Sequence, residues 1–117
     1  MILADTSDWI EMLAGRHAPL VEQVRREQVL MHPWVLGELS LGTLSDRDAN
    51  LTRFSLLSEA PIIEERLVLK FIDCYHLFGK GLGWVDCQLL ASAKAMQVNL
   101  WSHDKVLNLA WAKIFRS

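Results

Sequence analysis

A chain of 117 residues can bury roughly two-thirds of its unfolded surface as one globular unit. With 51% apolar residues and five tryptophans it is too hydrophobic to stay disordered. Twelve Lys and Arg against fourteen Asp and Glu give a net charge of −2, which excludes a strongly basic nucleic-acid coat. A metal-loaded acidic pocket would still attract phosphate.

Nothing at the amino end resembles a signal peptide, and no run approaches the ~18–20 apolar residues of a membrane span. A soluble, cytoplasmic protein without membrane contact is therefore expected, as a single domain over residues 1–117. Cys74 and Cys87 lack zinc-type or Cys-x-x-Cys spacing and read as buried free thiols.

Met1-Ile2-Leu3-Ala4 is a continuous apolar run, the pattern of a strand covered on both faces. It ends at Asp5-Thr6-Ser7-Asp8, four capping residues in a row, ahead of a helix with Trp9, Ile10 and Leu13 directed inward. Only one of the four can cap. Asp5, at the strand's carboxyl end, stands where open α/β sheets place ligand groups. A second helix runs from about Ala18 to Glu27 on Leu20, Val21 and Val24, and Gln28 to His32 reads as the second strand.

Pro33 opens a helix through Gly42 that is apolar nearly all round, so both its sides are expected to be covered. Within it Glu38 has Trp34, Val35, Leu41 and Gly42 as its i±3 and i±4 neighbours. That places an acid on an apolar face, or at the solvated edge of a groove. After the polar turn Ser45-Asp48 a helix to about Ser58 carries Leu51, Phe54 and Leu57 inward. Ala60 to Ile63 is a short strand or extended link, and Glu64 to Phe78 is a long helix.

Gly81-Leu82-Gly83 then opens a helix on Val85, Leu89, Leu90, Ala93 and Met96. Asp86 lies in its first turn, where an acid suits the free N–H groups. It also lies on the stripe with Leu89, Leu90 and Ala93, where an unpaired buried charge is prohibitively costly. A cap and a functional carboxylate are both open at this position. Lys80, in the preceding loop, can reach a phosphate near Asp86, although loop solvation is its ordinary role.

Val98 to Ser102 is the last strand, followed by His103, Asp104 and a helix from Lys105 to Trp111. Asp104 again pairs a strand's carboxyl end with a helix's amino end, with Ser102 placed to orient it or to cap. His17, His32, His76 and His103 show no ligand spacing and read as surface or satisfied polar positions.

Strand–helix alternation predicts an α/β fold, a mostly parallel central sheet with helices on both faces. The strands' carboxyl ends then align, gathering Asp5, Glu38, Asp86 and Asp104. Carboxylates so close protonate in part unless a cation sits between them. Oxygen-only ligands suit Mg²⁺ or Mn²⁺, whose usual work at such a site is hydrolysis at phosphorus.

Four segments carry a resemblance: Ile2-Leu3-Ala4-Asp5-Thr6-Ser7, Val35-Leu36-Gly37-Glu38-Leu39, Gly83-Trp84-Val85-Asp86 with Leu89 to Ala93, and Leu100-Trp101-Ser102-His103-Asp104. From Ile2 to about Ala112 the chain resembles the PIN-domain ribonucleases, and among them the VapC toxins of bacterial toxin–antitoxin pairs. The resemblance implies a PIN-like three-layer fold and an RNA endonuclease that requires Mg²⁺ or Mn²⁺. Asp5, Glu38, Asp86 and Asp104 match the family's catalytic, metal-binding acids. Ser7 and Ser102 match its hydroxyl positions near the metal, with Ser102 standing where many relatives carry Thr.

The resemblance further implies a structured RNA substrate such as tRNA or a ribosomal RNA loop, a homodimer, and a VapB-like antitoxin encoded by an adjacent gene. An apolar surface around Trp9, Leu13, Trp34 and Leu39 would receive an antitoxin helix, unless these residues are core. Two alternatives stand beside the toxin: a catalytically silent PIN-like module that binds RNA or protein, and a PIN nuclease of RNA processing with no antitoxin. No acid is missing, which disfavours the first, and the neighbouring gene separates the second.

Overall fold

The computed structural model describes residues 1–116; Ser117, the last residue of the expected domain, lies outside the described residues. In chain order the elements are β1 (Ile2–Ala4), α1 (Thr6–Leu13), α2 (Ala18–Arg25), β2 (Val29–Met31), α3 (Pro33–Leu41) and α4 (Arg47–Ser55). They continue with β3 (Ser58–Glu59), α5 (Glu65–Cys74), α6 (Trp84–Met96), β4 (Asn99–Trp101) and α7 (Lys105–Phe115). The four strands form one sheet in the order β3-β2-β1-β4, and every pairing is parallel. Sheet and helices make a three-layer α/β fold. Among the described residues no helix is long and apolar enough to cross a membrane.

The apolar runs behave as their composition dictates. Ile2, Leu3 and Ala4 are buried, as are Val29, Leu30 and Met31, because helices cover the strands. Ile2 pairs with Val29 and Asn99, and Leu3 with Leu30 and Leu100, so β1 is held on both sides. The chain steps from β1 outward to β2 and β3, then crosses back to place β4 on the other side of β1. The direction of winding therefore reverses between β1 and β4, and in open parallel sheets ligands bind outside the strands' carboxyl ends at such a reversal.

Several boundaries differ from expectation. The third strand is Ser58–Glu59, just before the expected 60–63 segment, and α4 stops at Ser55. Residues 61–63 are an extended link held from the side by α6. The Gln88 amide donates to Ile63 O at 3.0 Å while its carbonyl accepts from Ile63 N, and Ser92 Oγ donates to Pro61 O at 3.0 Å. Gln88 and Ser92 are wholly buried, so helix side chains stand in for a strand neighbour. Helix α5 ends at Cys74 rather than Phe78, because His76 and then Gly79 and Gly81 take positive φ.

Helix α3 is not covered on both sides: Val35 and Leu39 are buried, yet Leu41 is 88% exposed. Ile10 and Val21, expected inward, are half-exposed. Each of these helices packs inward on one flank, and Leu41, Ile10 and Val21 lie toward the other. Cys87 is buried as expected, whereas Cys74 is exposed among Asp73 and His76 at the end of α5.

The link over 61–63 generates a test. A Gln88→Leu substitution keeps the volume but removes both bonds to Ile63. Leaving these part-buried backbone groups unpaired is expected to cost about 2 kcal/mol. The urea midpoint should fall with the slope unchanged, whereas an unchanged midpoint would mean that the link does not depend on Gln88.

Candidate active site

Asp5 leaves the carboxyl end of β1 at the reversal, its N–H donating to Trp101 O of β4 at 2.9 Å. It is the N-cap of α1, with Oδ1 accepting from Thr6 N at 2.8 Å. Its other oxygen, Oδ2, accepts from two hydroxyls, Ser7 Oγ and Ser102 Oγ, each at 2.9 Å. Ser7 Oγ in turn accepts from His103 N at 3.1 Å, and Ser102 Oγ from Asp104 N at 2.8 Å. Each serine oxygen thus takes a backbone N–H and points its proton at Asp5. This relay ties the end of β1 to the β4–α7 link.

Asp104 is the N-cap of α7, accepting from Leu107 N at 3.1 Å, and it is otherwise exposed. Glu38 is exposed on α3, so its side chain sits at a groove edge rather than inside the apolar face. It accepts from Thr6 Oγ1 at 2.6 Å, which joins α3 to the amino end of α1. Asp86 is half-buried in the first turn of α6, and its Oδ2 accepts from Gly83 N at 2.9 Å. Cap and inward-facing acid, alternatives in the sequence, coincide at this residue.

The Asp86 carboxyl is pushed above the ordinary carboxylate range, first by burial and then by the charges of Asp5, Asp104 and Glu38, against the pull of Gly83 N–H. All four acids therefore share one electrostatic neighbourhood. Among the described residues none of them is paired with a Lys, Arg or His. A cluster of oxygen donors with no cationic partner has the chemistry of a hard divalent cation site. No three of these acids bring ligand oxygens within 4.8 Å of one another among the described residues.

Four neighbours escaped sequence reasoning. Thr6, which fixes Glu38, looked like one capping residue among four. Asp8 is 2% exposed on α1, and its Oδ1 meets His17 Nε2 at 2.7 Å and His103 Nδ1 at 3.0 Å. Burial pushes the Asp8 carboxyl up, and the two imidazoles pull it down. The histidines lie far apart in sequence, so no spacing could reveal them; only the alignment of β1 and β4 brings them together. Of the other two histidines, His76 is exposed and His32 is buried as the N-cap of α3, accepting from Trp34 N at 3.0 Å. Burial lowers the His32 pKa. Lys80 stands beside Lys113, and a hydrogen bond to that amine, then its charge, pull the Lys80 pKa down.

Beside Glu38 lies a cavity of about 350 Å³, lined by Thr6, Ile10, Leu13, Leu39 and Leu44 among others. Of the apolar surface expected at Trp9, Leu13, Trp34 and Leu39, Trp9 is core and Trp34 lies off the groove, while Leu13 and the buried Leu39 line it together with Ile10 and Leu44.

The electrostatics separate two acids that look alike in sequence. Asp86 has a folded pKa above its unfolded value. Its contribution to stability is full below the unfolded pKa and is lost as pH rises through the folded one. Without metal, Asp86→Asn should therefore melt higher than wild type at neutral pH, and the gap should close as pH falls through the folded pKa. Asp5→Asn should melt lower, because an amide NH₂ must face either Thr6 N–H or the two serine protons, at a cost of about 1–3 kcal/mol. Thermal melts in chelator across pH decide both; a lower melting temperature for Asp86→Asn would remove the like-charge account.

No family model matches the chain. Two curated relatives do, each named Ribonuclease VapC32, from Mycobacterium tuberculosis strains CDC 1551 / Oshkosh and ATCC 25618 / H37Rv. Both are 40% identical over 114 residues, which cover 97% of this chain and 92% of the relative. Identity at that level over nearly the whole length of both proteins, on a three-layer parallel α/β fold, assigns the family: this chain belongs to the VapC-type PIN-domain ribonucleases.

Proposed function

We propose that this protein, as one PIN domain over residues 1–117, is a Mg²⁺- or Mn²⁺-dependent RNA endonuclease and the cytoplasmic toxin of a toxin–antitoxin pair. The observation that carries the reading is the unpaired acid cluster at the sheet reversal, with Asp86 raised by burial and by its three companions. Kinship with proteins named as VapC ribonucleases supports the RNA substrate and the toxin role. Within the reading, Asp5, Glu38, Asp86 and Asp104 are the catalytic residues that would hold the metal and, through it, the reacting phosphate. Ser7 and Ser102 are positioning residues acting through Asp5.

A bound Mg²⁺ or Mn²⁺ supplies the charge that makes a water acidic enough to attack phosphorus and that offsets charge on the phosphate oxygens. The chain's own part is to keep its carboxylates aimed. The two serine protons hold Asp5 as an acceptor, Gly83 N–H holds Asp86, Leu107 N–H holds Asp104 and Thr6 holds Glu38. Each anchor leaves carboxylate oxygen capacity facing the cluster.

The groove beside Glu38 is the place proposed for an amphipathic helix of a VapB-like antitoxin, whose Arg would reach the acids. A structured RNA of tRNA or ribosomal type is the proposed substrate, and a homodimer the proposed assembly.

Asp86→Asn should lower RNA cleavage at least about a hundredfold with an unchanged circular dichroism spectrum. Cleavage at the wild-type rate would sink the assignment. Mn²⁺ should raise the wild-type melting temperature, by roughly 2.7 kcal/mol of stabilisation at a hundred times its dissociation constant, and the rise should shrink in Asp86→Asn.

Expression of the wild type alone should arrest bacterial growth, and the product of the adjacent small gene should relieve it. Ile10→Asp, on the exposed rim of the groove, should keep the arrest but lose the relief. Unimpaired growth with soluble wild-type protein would count against a toxin, and full relief of Ile10→Asp against the groove.

A further inference from the structure

We propose that Asp8, His17 and His103 form a second metal site, an imidazole–carboxylate site for Zn²⁺ or a similar borderline divalent cation, distinct from the oxygen-only acid cluster. Their three ligand atoms lie within 4.8 Å of one another, and among the described residues no other group does this. Two imidazole nitrogens with one carboxylate and an open position is a recurrent donor set for zinc, and one that magnesium and calcium do not favour.

The geometry is close to that of a filled site. Tetrahedral zinc with bonds of 2.0–2.1 Å separates its ligand atoms by about 3.3 Å. Asp8 Oδ1 lies 2.7 Å from His17 Nε2 and 3.0 Å from His103 Nδ1, so exchange of the shared protons for an ion requires the ligands to spread by only a few tenths of an ångström. The rings stand edge to face, with centroids 5.1 Å apart, so both nitrogens reach one carboxylate without stacking.

Three further observations point to a ligand. The second Asp8 oxygen, Oδ2, is buried and has no hydrogen-bond partner, leaving a carboxylate in need of a positive neighbour. His17 is held in orientation by Trp101, stacked at 5.9 Å and 11°. His103 is about half-exposed, which opens the remaining coordination position to solvent. An ion at His17 Nε2 leaves the ring proton on Nδ1, at the expense of a long 3.4 Å contact from Leu20 N–H. A bond of that length contributes little, so it yields to a coordinate bond.

The site clips together three segments: α1 through Asp8, the α1–α2 link through His17, and the β4–α7 link through His103. The last also carries Ser102 and Asp104, and His103 N–H donates to Ser7. Occupancy therefore rigidifies the link that presents one of the four acids.

The test uses metal-stripped full-length protein titrated with Zn²⁺ by calorimetry in excess Mg²⁺, and with Co²⁺ by visible absorption. A single saturable equivalent and the intense bands of four-coordinate Co²⁺ are expected. His103→Ala should weaken binding at least about tenfold, and His17→Ala likewise. Asp86→Asn and His76→Ala should bind as wild type does. No saturable Zn²⁺ binding, binding indifferent to His103→Ala, or loss of binding in Asp86→Asn would each overturn the site. If His17→Ala does not fold, the exposed His103 decides alone. RNA cleavage is not the readout, so the site can fail while the ribonuclease reading stands, and the reverse.

Discussion

Two serine hydroxyls converge on one carboxylate oxygen of Asp5, and the carboxyl edge of the sheet is organised by that junction. Ser7 comes from the first turn of α1 and Ser102 from the end of β4. Each hydroxyl is already an acceptor, from His103 N–H and Asp104 N–H, so its proton has one place left to go. The result is a directional chain of donors that begins in the β4–α7 backbone and ends on a carboxylate. Such a chain polarises each of its members and fixes their rotors. An amide at position 5 would leave one of these protons without an acceptor, so the carboxylate stabilises the junction.

Most of this was legible in the sequence, for a physical reason. Strands covered on both faces are written as short unbroken apolar runs, and Ile2–Ala4 and Val29–Met31 could hardly be read otherwise. Acids directly after such runs, as at Asp5 and Asp104, mark the sheet's carboxyl edge whatever they do there. The alternation of strand and helix then brings the two acids together without further information. Asp86 was legible as an inward acid in a helix's first turn, and Glu38 as an acid among apolar neighbours.

What escaped depends on long-range packing. The helix 33–41 is apolar all round, so periodicity cannot say which side faces inward, and Leu41 and Glu38 came out exposed. The link at 61–63 is held by side chains of α6 some 25 residues away, a pairing with no local signature. Asp8 was hidden in a run of four capping residues, and its histidines at 17 and 103 share no motif. Their meeting follows from strand order alone, since β4 could lie beside β1 only after the chain had crossed the sheet.

The capping role and the cluster role of the acids are not rivals. Asp5 caps α1, Asp104 caps α7 and Asp86 occupies the first turn of α6, so three helices aim their amino ends at one place. Each amino end favours a negative charge by about 0.3–1 kcal/mol and supplies N–H groups that need acceptors. Helix ends thereby offset part of the repulsion that four neighbouring carboxylates generate. Glu38, in the middle of α3, caps no helix; it stays exposed to water and takes the Thr6 hydroxyl at the amino end of α1. Asp86 carries what remains uncompensated, since it combines partial burial with three charged neighbours and a single backbone donor. In the proposed metal site the least satisfied of the four acids would have most to gain from a cation, so metal affinity and fold stability would be most directly coupled there.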